Sequence, residues 1–426
     1  MSGAGPLPRT LLPETASIGA DGQLCLGGVD TVELAARFGT PLFVYDEAHL
    51  RARCREAVAA FGPGVAYASK AFLCRAMARL ALDEGMSIDV ATGGELHVAL
   101  AAGADPERLV LHGNNKSTEE LRTALGVGVG RVVVDSFDEM DRIDALVAEG
   151  LTPPRVMIRV TPGIDAHTHE FVRTGQEDSK FGFGWHSGAA LEAASRARAS
   201  TSVELVGLHM HIGSQVFVAD NFALAVETIA PLARELDLPE LCIGGGLGVA
   251  YVEGEEAPTI MEWAAAVREV CAASGITARV TAEPGRSIVA QAGITLYRVG
   301  TVKEIPNVRT YVSVDGGMSD NPRPVLYGSG YETFLPRALD ADRPSQIRLV
   351  GKHCESGDLL VREGFVPDDL VVGDLLATPV TGAYGHSMGS NYNKVPRPAV
   401  VFVGDGEARV VVRRETHDDL LRLDVD

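Results

Sequence analysis

VAYASKAFLCRAMARLALDEGMSIDVATGG, residues 65–94, holds one unit of the pattern that decides the fold. A short β-rich run, VAYASK (65–70), ends in a lysine. An Ala/Leu/Arg-rich helical stretch follows, and a second run, SIDVATGG (87–94), ends in glycines. The alternation continues through LVLHGNN (109–115), RVVVDS (131–136), RVMIRVTPG (155–163), LVGLHMHIGS (205–214), LCIGGG (241–246) and RVTAEPG (279–285). The first five runs start 22 to 24 residues apart, the period of parallel strands joined by crossover helices. Eight units with buried strands predict an α/β fold of the (β/α)8 TIM-barrel type, with a doubly wound sheet as the alternative. The barrel is favoured because Lys70, Thr92, His112, His211, Gly244 to Gly246 and Glu283 all fall at or just past strand carboxyl ends, where barrels build their sites.

Beyond about residue 295 the texture changes to alternating segments such as TYVSVDGG and AVVFVGDGEARVVVRR, with turn residues between them, which reads as a mostly-β C-terminal domain. The opening segment through PLFVYD (41–46) is also β-like. The expected organisation is therefore an N-terminal segment, 1–45, pairing with the β domain, a barrel over 46–295 and a β domain over 296–426.

With 426 residues, 46% hydrophobic and 22% charged, the composition is that of an ordinary globular protein. The net charge of −19 and pI near 5.0 argue against nucleic-acid or anionic-membrane partners, so an anionic ligand must be held by individual Arg, Lys or backbone N–H groups. The six cysteines form no CxxC pair, and neither a secretion signal nor an apolar run long enough to span a bilayer is present. A cytoplasmic location is expected.

Several residues carry chemistry, each with a plainer alternative. Lys70 at a barrel mouth would be desolvated, favouring the free amine that forms a Schiff base; a solvated strand-end lysine is the alternative. IGGGLG (243–248) lets backbone N–H groups approach a phosphate, or is simply a tight turn; it is neither the dinucleotide fingerprint nor a Walker A loop. Glu283, in AEPGR, suits a pyridine nitrogen, or forms a surface ion pair. The pairs His167/His169 and His209/His211 raise a metal-dependent hydrolase, but no third histidine with a strand-end Asp completes the ligand set, so no metal is expected. Arg323 can bind a carboxylate, Glu355 an ammonium, and the Cys354 thiol can serve as an acid or be a buried inert cysteine.

Read together and in order, YASKAF, DVATGGEL, HGNNKS, AHTHEF, EDSKFGF, GLHMHIGSQ, GGGLG, EPGR, DGGMSDNPRP, KHCESGD, GAYGHSM, SNYN and RRETHDDLL resemble the alanine-racemase-fold, fold type III pyridoxal-phosphate-dependent decarboxylases. The resemblance spans nearly the whole chain and is to the branch acting on meso-2,6-diaminopimelate. It implies pyridoxal 5′-phosphate as cofactor, L-lysine and CO2 as products, and the last step of lysine biosynthesis. It implies that Lys70 holds the cofactor, His211 stacks on its ring and Glu283 meets the ring nitrogen. Ser214, Gly244, Gly245, Gly246, Pro284, Gly285 and Arg286 surround the phosphate, with Tyr384 reaching in from the β domain. Arg286, Arg323, Tyr327, Glu355 and Tyr384 are the implied substrate-binding residues, and Cys354 the implied proton donor. Cys354 and Glu355 come from the neighbouring subunit in this family, which implies a homodimer with shared sites.

The departures are Thr92, where many relatives have Ser, and Gly389, where Ser is usual. Ornithine or arginine carries only a cation at its distal end, so the arginines Arg286 and Arg323 favour a substrate with a distal carboxylate over the ornithine/arginine alternative. A catalytically dead relative would lack the lysine or the thiol, and both are present. Part of 164–185, rich in Gly and charged residues, would suit a lid.

Overall fold

A computed structural model describes residues 3–164 and 178–425. His167, His169 and most of the lid expectation therefore lie outside the described residues. The chain divides into two compact units: Arg53–Val249 with Ala257–Ser287, and Met1–Ala52 with Ala250–Glu256 and Ile288–Asp426.

The first unit is the barrel. Its strands are Ala66–Ala68, Ser87–Val90, Leu109–Leu111, Arg131–Val134, Arg155–Thr161, Glu204–Met210, Glu240–Cys242 and Arg279–Thr281. Each pairs in parallel with the next in chain order. The ring closes where the N–H groups of Ala66 and Ala68 donate to the carbonyls of Ala282 and Pro284, at 3.0 and 3.1 Å. Sequential order plus closure separates this fold from the doubly wound sheet, in which strand order reverses at a switch point. Inside, Val133, Met157, Val206 and Cys242 pack with Val110, so the barrel is filled rather than hollow.

The connecting helices start where their sequences say they should. Ser117 and Glu120 form a capping box for Thr118–Val127, and Thr259 and Glu262 form another for Ile260–Ala273. Thr92 caps Gly93–Ala101 by accepting from the Glu95 N–H at 3.2 Å, a task for which serine and threonine are near-equivalent. At the amino ends of the strands, Arg131 and Arg279 both bind Glu240, with Nε–Oε2 at 2.9 Å and NH2–Oε1 at 2.8 Å respectively. This end is tied together by ion pairs, while the carboxyl ends hold the chemistry.

The second unit is mostly β. Its sheet runs in the order Leu359–Val366, Ser345–Val350, Arg309–Val314, Gly293–Ile305, Leu42–Asp46, Ala399–Gly404, Glu407–Val412, with Leu375–Thr378 also on Gly293–Ile305. Leu42–Asp46, from PLFVYD, lies antiparallel to Gly293–Ile305 and parallel to Ala399–Gly404, and every residue in it is buried. The stretch RLVGKHCESGDLLV divides at residues 351–358 into a turn between two antiparallel strands.

Candidate active site

At the carboxyl end of the barrel, the first strand runs into a 3-10 turn, Ser69–Ala71, that carries Lys70. The lysine is exposed, which corrects the expectation that the barrel itself desolvates it. Its charge is nevertheless felt by Asp89, on the second strand, and by His211, just past the sixth. Burial first, and the Lys70 charge second, hold His211 well below the ordinary histidine range. His211 is thus a neutral ring at pH 7, and its Nδ1 accepts from the Gly245 N–H at 3.2 Å.

Glu283 leaves the eighth strand with its carboxylate buried. Nε2 of His209, on the sixth strand, lies 2.9 Å from Oε2 in a hydrogen bond. Nε2 of His112, past the third strand, lies 2.9 Å from Oε1 in an ion pair and 3.7 Å from Oδ1 of Asp89. Burial pushes the Glu283 carboxyl up, but His112 and His209 outweigh it and hold it well below the usual carboxylate range. Burial likewise opposes a charge on His112, yet Asp89 and Glu283 raise its affinity for a proton. For His209 burial wins and brings the ring down to about 4, so at pH 7 it is neutral and donates through Nε2. Burial brings Asp89 up to about 6 against the pull of His112.

Sequence reasoning left His209 as a structural histidine and gave His112 no role. The available signal was alternation: His209 and His211 are two residues apart and share a strand face. Among the described residues, His112, His209 and Glu283 also form a group able in composition to hold a metal ion. In this arrangement each Nε2 lies 2.9 Å from a carboxylate oxygen, that of His209 in a hydrogen bond.

The glycine run forms a cradle that side chains would fill. Gly244 and Gly246 have φ of +68° and +113°, and a Cβ on Gly245 or Gly246 would lie 2.2 Å from the Glu283 carbonyl or 2.1 Å from that of Gly213. Beside it Arg286 NH2 donates to Ser214 Oγ at 2.8 Å, and the buried Ser287 hydroxyl has no partner among the described residues. A Cβ on Gly285 would sit 2.8 Å from the Ala68 carbonyl, so this turn after Pro284 also needs a glycine to pass the first strand. A bare-backbone loop, an arginine and hydroxyls suit a phosphate; an ionised carboxylate, a neutral imidazole face and a lysine suit a pyridine aldehyde. The residues present fit pyridoxal 5′-phosphate.

In the β unit, Arg323 is buried, its guanidinium 4.2 Å above the Tyr251 ring and 5.4 Å from that of Tyr331, whose hydroxyl it also meets. Tyr384 is close enough to stabilise the Arg323 charge and holds a left-handed φ of +61°, a conformation a non-glycine residue keeps only where its surroundings enforce it. Tyr327 is half-buried, at the end of the helix Arg323–Tyr327. Cys354 and Glu355 are both exposed, so Cys354 is not a buried inert cysteine. Their turn is anchored by its neighbours: the buried His353 bonds Ser319 Oγ at 2.8 Å and Asp358 through its N–H at 2.8 Å, while the Cys354 N–H donates to Asn393 Oδ1 at 2.9 Å. The Gly389 turn closes on the His386 carbonyl at 3.1 Å.

Residues 47–290 match the family described as pyridoxal-dependent decarboxylase, pyridoxal binding domain. Fold and site thus define a barrel-type pyridoxal-phosphate-dependent decarboxylase with a second, mostly-β domain. Over 425 residues the chain is 49% identical to diaminopimelate decarboxylase of Mycobacterium tuberculosis, covering 95% of each protein. It is 46% identical over 423 residues to that of Bacillus subtilis, again covering 95% of each. A crystal structure of the M. jannaschii diaminopimelate decarboxylase with L-lysine superposes with a TM-score of 0.90 at 31% identity, covering 97% of this chain and 98% of that one. The chain belongs to the diaminopimelate decarboxylase family.

Proposed function

We propose that this chain converts meso-2,6-diaminopimelate to L-lysine and CO2 in the cytoplasm, as a homodimer with sites shared between subunits. The observation that carries the reading is the cluster at the strand carboxyl ends, where the buried Glu283 carboxylate lies 2.9 Å from both His112 and His209 beside the glycine cradle and the Arg286–Ser214 pair. Bound pyridoxal 5′-phosphate supplies the electron sink for the carbanion left when CO2 departs.

The chain's own residues do the rest. Lys70 offers the amine that anchors the cofactor, and its exposure leaves room for an exchanging substrate amine. His211, neutral, offers a flat face to the ring. Glu283, ionised, would meet the ring nitrogen, and Ser214, Gly244 to Gly246, Pro284, Gly285 and Arg286 would receive the phosphate, with Tyr384 as a further contact. Arg286, Arg323, Tyr327 and Tyr384 hold the substrate, the arginines answering carboxylate and Glu355 answering ammonium. Cys354 delivers the proton to the α-carbon once CO2 has left.

That Cys354 and Glu355 are exposed on an anchored turn supports their serving a neighbouring subunit's Lys70. The six free thiols accord with a reducing compartment. Stoichiometry tests the reaction: holoenzyme given meso-diaminopimelate should release CO2 and L-lysine one for one, and CO2 without lysine would contradict it.

A further inference from the structure

We infer that His112 and His209 are positioning residues for the decarboxylation, each holding one oxygen of Glu283 through Nε2 so that the carboxylate keeps one fixed orientation. The inference rests on the reading of Glu283 as the partner of the cofactor ring. Its geometry is independent of that reading. His209 Nε2 lies 2.9 Å from Oε2 in a hydrogen bond, and His112 Nε2 lies 2.9 Å from Oε1 in an ion-pair contact that lacks hydrogen-bond geometry. The imidazole rings stand 4.9 Å apart at 65°, so each addresses its own oxygen and rotation of the carboxylate would break both contacts. Each carboxylate oxygen accepts more than one hydrogen bond, so both remain able to take a further N–H.

The cost of the arrangement argues that it serves more than packing. His112, His209, Asp89 and Glu283 are all buried, and neither Nδ1 of His209 nor Nε2 of His112 has a hydrogen-bond partner among the described residues. Four buried titratable groups are harder to stabilise than apolar side chains of the same volume. The charges facing the group come from several elements: Lys70 from the turn after the first strand, Asp89 from the second strand and Arg159 from the fifth, with neutral His211 beside them. A buried glutamate without its imidazoles would take up a proton and lose the charge that keeps a pyridine nitrogen protonated. With both present it stays ionised, facing His209 as a neutral donor and His112 as a ring whose affinity for a proton is raised by Asp89 and Glu283.

The test compares His209→Gln with His209→Asn, and likewise at His112. Glutamine can place an amide N–H where Nε2 now sits; asparagine is too short to reach it. Apo-protein is titrated with pyridoxal 5′-phosphate from pH 5 to 8, following the visible band, and kcat and KM are measured on the reconstituted enzyme. The Asn variants are expected to bind the cofactor about tenfold more weakly, a loss on the scale of one charge-assisted hydrogen bond. Their visible spectrum should also become more sensitive to acid than that of the wild type, as Glu283 takes up protons more readily. Their kcat should fall with KM for meso-diaminopimelate little changed, and the Gln variants should recover most of each effect.

Folded Asn variants with wild-type cofactor affinity and the wild-type response to acid would overturn the inference, as would Gln and Asn variants equally impaired. If the Asn variants fail to fold, a Gln variant that binds cofactor like His209→Leu overturns it. Wild-type protein that binds no cofactor would instead sink the underlying reading.

Discussion

A buried carboxylate is stable as an anion only where its surroundings supply charge or hydrogen bonds, and Glu283 receives both from His112 and His209. Lys70 presents the opposite case. It is exposed, and its charge is felt by Asp89 and His211. The role proposed for it is chemical rather than structural, so its loss should leave the fold alone. Lys70→Ala should fold with a melting temperature close to that of the wild type, yet show neither turnover nor cofactor trapped covalently by borohydride. Trapping at the wild-type level in that variant would show that another amine holds the cofactor.

At the scale of elements, the eight barrel strands were legible because parallel strands buried on both faces read as short apolar runs, and their exits are marked by the glycine, histidine and lysine of VAYASK, LHGNN and IGGGLG. The glycine run makes a sharp demand. A methyl on Gly246 would sit 2.1 Å from the Gly213 carbonyl, and its φ of +113° disfavours any side chain. Gly246→Ala should therefore move the loop against 213–216 and weaken cofactor binding about tenfold or more, with a loss of stability on the order of 2 kcal/mol, as read by cofactor titration and thermal melting. Unchanged affinity would remove this loop from the phosphate site. Other features were not legible. The Glu283–His209 bond joins residues 74 positions apart, and the contact exists only because barrel closure brings the eighth strand round. Tyr251, under the Arg323 guanidinium, belongs to the short excursion Ala250–Glu256 that groups with the β unit, and nothing in its local pattern distinguishes it from a barrel loop. The exposure of Lys70 also depended on the neighbours a folded chain supplies.

At the scale of the molecule, the residues of the proposed function divide between the units: the barrel has Lys70 and Glu283, and the β unit has Arg323, Cys354 and Glu355. If Cys354 serves the partner's site, two defective proteins should repair each other. Lys70→Ala and Cys354→Ala, each inactive or nearly so alone, should on co-refolding regain roughly a quarter of wild-type activity, because half the dimers are mixed and each mixed dimer assembles one intact site. No recovery, with mixed dimers present, would place lysine and thiol in the same subunit's site. The central claim is the proposed choice of substrate, in which arginine answers a distal carboxylate that ornithine lacks. It is tested most directly by comparing kcat/KM for meso-diaminopimelate and L-ornithine on the same holoenzyme. The account predicts a preference for meso-diaminopimelate of a hundredfold or more, the scale set by leaving buried charged groups unanswered; equal values, or faster release of CO2 from ornithine, would contradict it.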